Sequence, residues 1–82
     1  MNRTMSEQYN FVRLCRMARV AAANDFEPDA DCSTALMRRI GALEDSSQYR
    51  CVTSEEDQSI VRRAYIISYR HGWHNAEHLS HG

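Results

Sequence analysis

The feature that most constrains this sequence is its last third, which has the pattern of one long amphipathic helix. Thr53-Ser54-Glu55-Glu56 fits a capping box, with a hydroxyl at the helix cap and a carboxylate three residues later. No proline follows, and apolar residues then recur every three or four positions. The predicted core stripe consists of Ile60, Val61, Ala64, Tyr65 and Ile67. The pattern predicts a helix over 53–72 and leaves open its extension toward the C-terminus.

A first helix is predicted over residues 5–24. Thr4 and Glu7 fit a second capping box, and Pro28 follows soon after the end of the helical pattern. The alanine run 21–23 favours a helix and permits close approach of a neighbouring helix. The apolar residues on one face are Phe11, Leu14, Cys15, Ala18, Ala21 and Ala22.

Residues 31–45 are predicted to form the second helix. Asp29 or Asp31 is expected to cap it, because a carboxylate there meets free backbone N–H groups. Gly41 weakens this helix, and we expect it to mark close packing. Residues 46–52 are predicted to form a loop, with Tyr49 and Val52 turned back onto the core. The buried stripe of the helix consists of Leu36, Ile40 and Leu43, with Cys32 and Met37 at its edges.

Three amphipathic helices with short connections predict an all-α fold, a small three-helix bundle, as a single domain over residues 1–82. A chain of 82 residues buries only about 60% of its unfolded surface, so partner binding could add to its stability. No apolar run approaches the roughly 18 residues that span a bilayer, and the N-terminus has no signal-peptide pattern. The three cysteines are an odd number, typical of reduced thiols. We therefore expect a cytoplasmic location.

Charge is unevenly distributed along the chain. Residues 1–24 carry four Arg and one Glu, residues 25–57 carry nine acids and three Arg, and residues 58–82 carry three Arg and one Glu. All ten basic residues are Arg, which pairs bidentately and is enriched at protein interfaces. A net charge of −1 argues against a dedicated nucleic-acid-binding protein, which usually has a strong basic excess.

A second apolar patch is predicted on the last helix, opposite the core stripe. The residue types Trp, Tyr and Arg dominate binding hot spots, so this face is a candidate site for a larger protein or for a homodimer. The alternative is that the helix is central and that its two neighbours cover both faces. The predicted partner-binding residues are Arg62, Ile66, Tyr69, Arg70 and Trp73.

Two charged segments are further candidates. The acidic connector offers Asp25, Glu27, Asp29 and Asp31 as a second contact for a basic partner. Arg13, Arg16 and Arg19 lie together on the flank of the first helix, where they are either a solvated face or a contact for phosphates. The second choice defines the alternative hypothesis of a nucleic-acid-associated regulatory protein.

The four histidines, at positions 71, 74, 78 and 81, share one stripe if the last helix continues beyond Gly72. His74 and His78 have the i, i+4 spacing that lets two imidazoles share a metal ion, which defines a second alternative, a metal-binding domain. An ordinary polar tail is the more common explanation, so no metal or other cofactor is predicted.

No catalytic motif or glycine-rich phosphate loop occurs, and an enzyme is not predicted. The leading hypothesis is a small protein–protein interaction module that occludes a surface of a larger protein. By analogy of size and composition alone, it would be an inhibitor encoded by a phage or other mobile element, such as an anti-CRISPR protein.

Overall fold

The computed structural model describes residues 11–50 and 54–81. Helix α1 spans Phe11–Asp25, α2 spans Cys32–Asp45, α3 is a single turn over Ser47–Arg50, and α4 spans Glu55–His81. No strand occurs in these two ranges. The all-α class and the three-helix bundle are confirmed. The short α3 lies where only a loop was predicted, and the start of the first helix lies outside the described residues.

Side chains of the predicted types begin the second and fourth helices. The Asp31 carboxylate accepts hydrogen bonds from the Thr34 backbone N–H at 3.1 Å and from the Thr34 hydroxyl at 2.7 Å. It satisfies a backbone donor that the helix itself leaves unpaired. At α4 the Ser54 hydroxyl accepts from the Asp57 N–H at 3.4 Å. Thr53, the predicted cap, lies outside the described residues, as does the capping box at residues 4–7.

The longest helix, α4, continues past Gly72 and has 27 residues, or about 40 Å of axis. Its C-terminal half packs against α1, which runs in the opposite direction: Asp25 at the end of α1 meets Tyr69, and Ala22 lies beside Gly72. Neither α4 nor any other helix in the described part of the chain is long and apolar enough to cross a membrane.

The N-terminal half of α4 packs against the second and third helices. The Arg62 guanidinium of α4 lies 3.3 Å from the Glu44 carboxylate of α2. The hydroxyl of Tyr49 donates to the backbone oxygen of Gln58 at 3.4 Å. The predicted inward turn of Tyr49 is confirmed, since its side chain is buried.

The core lies along one side of α4. The predicted faces of the first two helices are confirmed, with Phe11, Cys15 and Cys32 half-buried at their edges and Met37 exposed. The buried apolar residues are Leu14, Ala18, Ala21 and Ala22 of α1, Leu36, Ile40 and Leu43 of α2, Tyr49 of α3, and Val61, Tyr65, Tyr69 and Trp73 of α4.

The predicted core stripe of α4 is only partly confirmed: Val61 and Tyr65 are buried, but the buried side of the helix is rotated about the helix axis relative to the prediction. Ile60 and Ile67 are 47% and 51% exposed, and the larger rings of Tyr69 and Trp73 occupy the interior. The reason is volume: α1 contributes mainly alanines to the core, so α4 must supply large side chains to fill the space at normal packing density. Aromatic rings also bury the most apolar area per residue.

The close helix contact expected at Gly41 occurs instead at Gly72. A Cβ atom added at Gly41 would have nothing within 4 Å. One added at Gly72 would lie 2.7 Å from both the Cα and the carbonyl oxygen of Arg19 and 3.1 Å from the Cβ of Ala22. Gly72 is therefore the residue that lets the backbone of α4 approach the backbone of α1.

Candidate interaction surface

A cluster of polar side chains joins three helices at Asp25. Its carboxylate accepts two hydrogen bonds from the Arg39 guanidinium of α2, at 2.7 and 2.8 Å. It also accepts one from the Tyr69 hydroxyl of α4, at 2.8 Å. The bidentate pair and the hydroxyl fix the end of α1 against both neighbours. Asp25, predicted as part of an acidic contact for a partner, is therefore engaged inside the molecule.

These contacts shift the titration of the groups involved. The hydrogen bond from Arg39 has the largest effect and holds the pKa of the Asp25 carboxyl below its ordinary value of 3.8. Burial opposes it, and the hydrogen bond from the Tyr69 hydroxyl lowers the pKa by a smaller amount. Burial raises the pKa of the Tyr69 hydroxyl, and its hydrogen bond to Asp25 raises it further. A carboxylate held ionised by three hydrogen bonds is suited to joining helices rather than to proton transfer.

The prediction that Tyr69 and Trp73 lie on an exposed face is wrong, because both side chains are buried inside a single molecule. Tyr69 has no exposed surface and Trp73 is 6% exposed. The Phe26 ring meets Trp73 edge-on at a centroid distance of 5.3 Å, and Tyr69 stacks between Tyr65 and Trp73 at 6.2 Å from each. The alternative, a central helix with both faces covered by its neighbours, holds only for the aromatic face, because Ile60 and Ile67 on the other face are 47% and 51% exposed.

The other residues predicted to bind a partner differ from one another in exposure and in contacts. Ile66 is half-buried against the core, and Arg62 is half-buried beside Glu44. Arg70 is exposed. In the acidic connector Asp31 caps α2, whereas Glu27 and Asp29 are exposed. The structure therefore does not bring the predicted set together as one surface.

An apolar and basic surface lies on α1 instead, on the side that faces away from α4. We call this the α1 face; it comprises Val12, Arg13, Arg16, Met17 and Val20. Val12 is 70% exposed, and Met17 and Val20 are each 54% exposed. A shallow depression on this face is lined by Val12, Arg13, Arg16 and Met17.

The α1 face contains Arg13 and Arg16, two of the three arginines predicted as a phosphate contact, but not the third, Arg19. Arg16 and Arg19 are exposed and form no ion pair within the described part of the chain. The sequence analysis did not predict that three large apolar side chains on this helix would be exposed. Their signal was available in the sequence, since Val12, Met17 and Val20 lie off the predicted core stripe of the same helix.

The histidines lie on a continuous helix, as the metal-binding hypothesis requires. His71, His74 and His78 are exposed, and the His74 ring lies 4.0 Å from the Glu77 carboxylate. Among the described residues no group of three or more His, Cys, Asp or Glu side chains is placed to hold a metal ion. Cys15 and Cys32 are free thiols, and burial raises the pKa of Cys32.

No family model, curated protein or solved structure matches this chain.

Proposed function

We propose that this protein acts by binding a larger protein through the α1 face and occluding the surface on which it docks. The observation that carries the proposal is the exposure of three large apolar side chains, Val12, Met17 and Val20, on the side of α1 that faces away from the core. Single exposed apolar residues are ordinary, but a group of them rimmed by polar side chains marks interaction surfaces. An inhibitor of the kind that mobile elements encode would act in this way.

The spacing fits a helix that lies in a groove. At 100° per residue, Val12, Val20 and Met17 fall within about 140° of one another on the helix circumference. Helices that bind grooves use anchors three or four residues apart on consecutive turns, and Met17 and Val20 have that spacing, while Val12 lies two turns before Val20. Methionine adds a flexible apolar side chain that adapts to irregular surfaces.

The charges indicate the chemistry of the partner. The described part of α1 has no acidic residue before Asp25, while Arg16 is exposed among the apolar side chains of the α1 face and Arg19, outside that face, is exposed as well. The complementary surface is therefore an apolar groove with acidic residues at its rim. Phosphates would pair with the arginines but would leave the three apolar side chains in water, which favours a protein over a nucleic acid.

Site-specific photocrosslinking in the native cells tests the proposal. Benzoylphenylalanine at Met17 should yield a crosslinked protein, and the product should disappear when Val20→Glu is added. The matched control is the same photoreactive residue at Met37 of α2, which is 69% exposed but lies off the α1 face. It should yield no such product.

A crosslinked product at Met17 that is sensitive to nuclease would favour the nucleic-acid alternative and contradict the proposal. The same products from both positions would also contradict it. Circular dichroism should show that Val20→Glu leaves the fold intact, since that side chain is half in solvent.

A further inference from the structure

A second exposed stripe runs along the outer side of α4, opposite the core. It contains exposed Ile60, Ile67, His71, His74 and His78, together with Ala64, which is half-buried because it also packs against the core. We call these residues the α4 seam. Their positions, 60, 64, 67, 71, 74 and 78, are alternately four and three apart. This is the heptad spacing by which one helix packs along another.

From this spacing we propose that the α4 seam pairs with the α4 seam of a second copy of the chain, running antiparallel. The seam consists of an apolar half, Ile60, Ala64 and Ile67, followed by an imidazole half, His71, His74 and His78. Two antiparallel copies related by a twofold axis place the apolar half of each on the imidazole half of the other. Ile60 then meets His78, Ala64 meets His74, and Ile67 meets His71.

The charges beside the seam favour the antiparallel direction. Arg63, Arg70 and Glu77 are seven residues apart and follow one flank of the stripe. Arg63 is exposed, and the Glu77 side chain is 50% exposed. In an antiparallel pair Arg63 of each copy lies beside Glu77 of the other, which gives two ion pairs related by the twofold axis. The Arg70 side chains meet at the axis, where both can extend into solvent. A parallel pair would leave Arg63 without an opposing carboxylate.

The geometry also keeps this pairing separate from the function proposed above. The α4 seam and the α1 face lie on different helices and share no residue, so one can be disrupted without the other. The seam extends over 60–78, or about 27 Å of helix axis, which is short for a coiled coil. We therefore expect a dimer with a dissociation constant in the micromolar range.

Sedimentation equilibrium of the full chain at micromolar concentrations tests the pairing. A chelator should be present throughout so that metal bridging between histidines does not contribute. The expected mass rises toward twice the 9.5 kDa of one chain. Ile67→Arg should return the protein to a monomer, while Met37→Arg, at an exposed residue off the seam, should dimerise like the unmodified chain. A monomer at all concentrations, or unchanged dimerisation of Ile67→Arg, would overturn the proposal.

A charge exchange tests the direction. Arg63→Glu alone should weaken dimerisation on the order of tenfold, about 1.4 kcal/mol, because it sets two carboxylates against each other. Adding Glu77→Arg to the same chain should restore it, because the ion pairs re-form with their signs reversed. Failure of the second substitution to restore dimerisation would contradict the antiparallel arrangement. Val20→Glu should dimerise normally, which separates this result from that for the α1 face.

Discussion

The two sides of α4 carry apolar side chains of different shape and meet different surroundings. The inner side presents Val61, Tyr65, Tyr69 and Trp73, all at least nine-tenths buried against the other helices. The outer side presents Ile60 and Ile67, each about half exposed, in line with the histidines. Aromatic residues flanked by arginine are typical of binding hot spots, yet here they form the core.

Residue type alone therefore does not separate a core from an interface. What decides is the surface that the neighbour offers. Ala18, Ala21 and Ala22 of α1 give a shallow apolar face that isoleucines alone would leave underfilled. Rings fill that space, and Gly72 lets the backbones approach closely enough for them to do so. The isoleucines are then left for the outer side.

The largest expected effect comes from removing the inner rings. Tyr69→Ala combined with Trp73→Ala should leave the chain unfolded, because each large-to-small change in a core costs about 3–5 kcal/mol and a domain of this size has little more to lose. Far-ultraviolet circular dichroism measures the loss of helix.

The matched control removes two apolar residues from the other side of the same helix. Ile60→Ala with Ile67→Ala should remain folded, within about 1 kcal/mol of the unmodified chain. Equal losses from the two pairs would mean that the inner and outer sides have been assigned wrongly.

A pair of glycine substitutions should change stability in opposite directions. Gly72→Ala should destabilise the fold by about 1–3 kcal/mol, because the new Cβ would press on the backbone of Arg19. Gly41→Ala should stabilise it by about 0.5–1 kcal/mol, because alanine favours the helix and meets no neighbour. Urea denaturation of both variants gives the comparison, and stabilisation by Gly72→Ala would show that α1 does not lie where the structure places it.

The sequence predicted those parts of the fold that depend on periodicity. On α1 and α2 the leucines, alanines and Ile40 recur along one stripe of each helix, so the buried face could be identified from the sequence, although Val12, Met17 and Val20 of α1 lie off that stripe. On α4 apolar residues occur almost all around the helix, and the rotation depends on which neighbours it packs against. Knowledge of which helices are neighbours was also needed to identify Gly72, and not Gly41, as the position of the close helix contact.

The candidate site was less predictable. Exposure of the α1 arginines could be predicted, because they lie off the core stripe of their own helix. The pairing of Asp25 with Arg39 joins residues that are 14 positions apart on different helices, and no local pattern indicates it. Tyr69 joins them from 44 positions away from Asp25. Since that cluster draws Tyr69 inward, the surface predicted around it could not form.

The Asp25 cluster should make stability depend on pH in the acid range. The folded chain holds the pKa of Asp25 below 3.8, so its contribution is present above that pH and is lost as the pH falls through the folded pKa. Asp25→Asn should cost about 1–3 kcal/mol near neutral pH, and this difference should shrink below about pH 4. Denaturation at several pH values measures it. Asp29→Asn, at an exposed position in the same connector, should cost little at any pH, and an equal cost from both variants would contradict the role of Asp25.

The smallest expected effect concerns Arg62 and Glu44, the ion pair at the edge of the inner side. Both side chains are more than 40% exposed, and the pair is longer, at 3.3 Å, than the bidentate Arg39–Asp25 pair. A double-mutant cycle with Arg62→Ala and Glu44→Ala should give a coupling of about 0.3–0.5 kcal/mol that decreases with added salt. The same cycle on Arg39 and Asp25 should give a larger coupling that is less sensitive to salt, because those groups are partly buried. Equal coupling free energies for the two pairs would mean that burial does not decide the strength of an ion pair in this protein. Charged residues inside the bundle would then contribute no more than those at its edge.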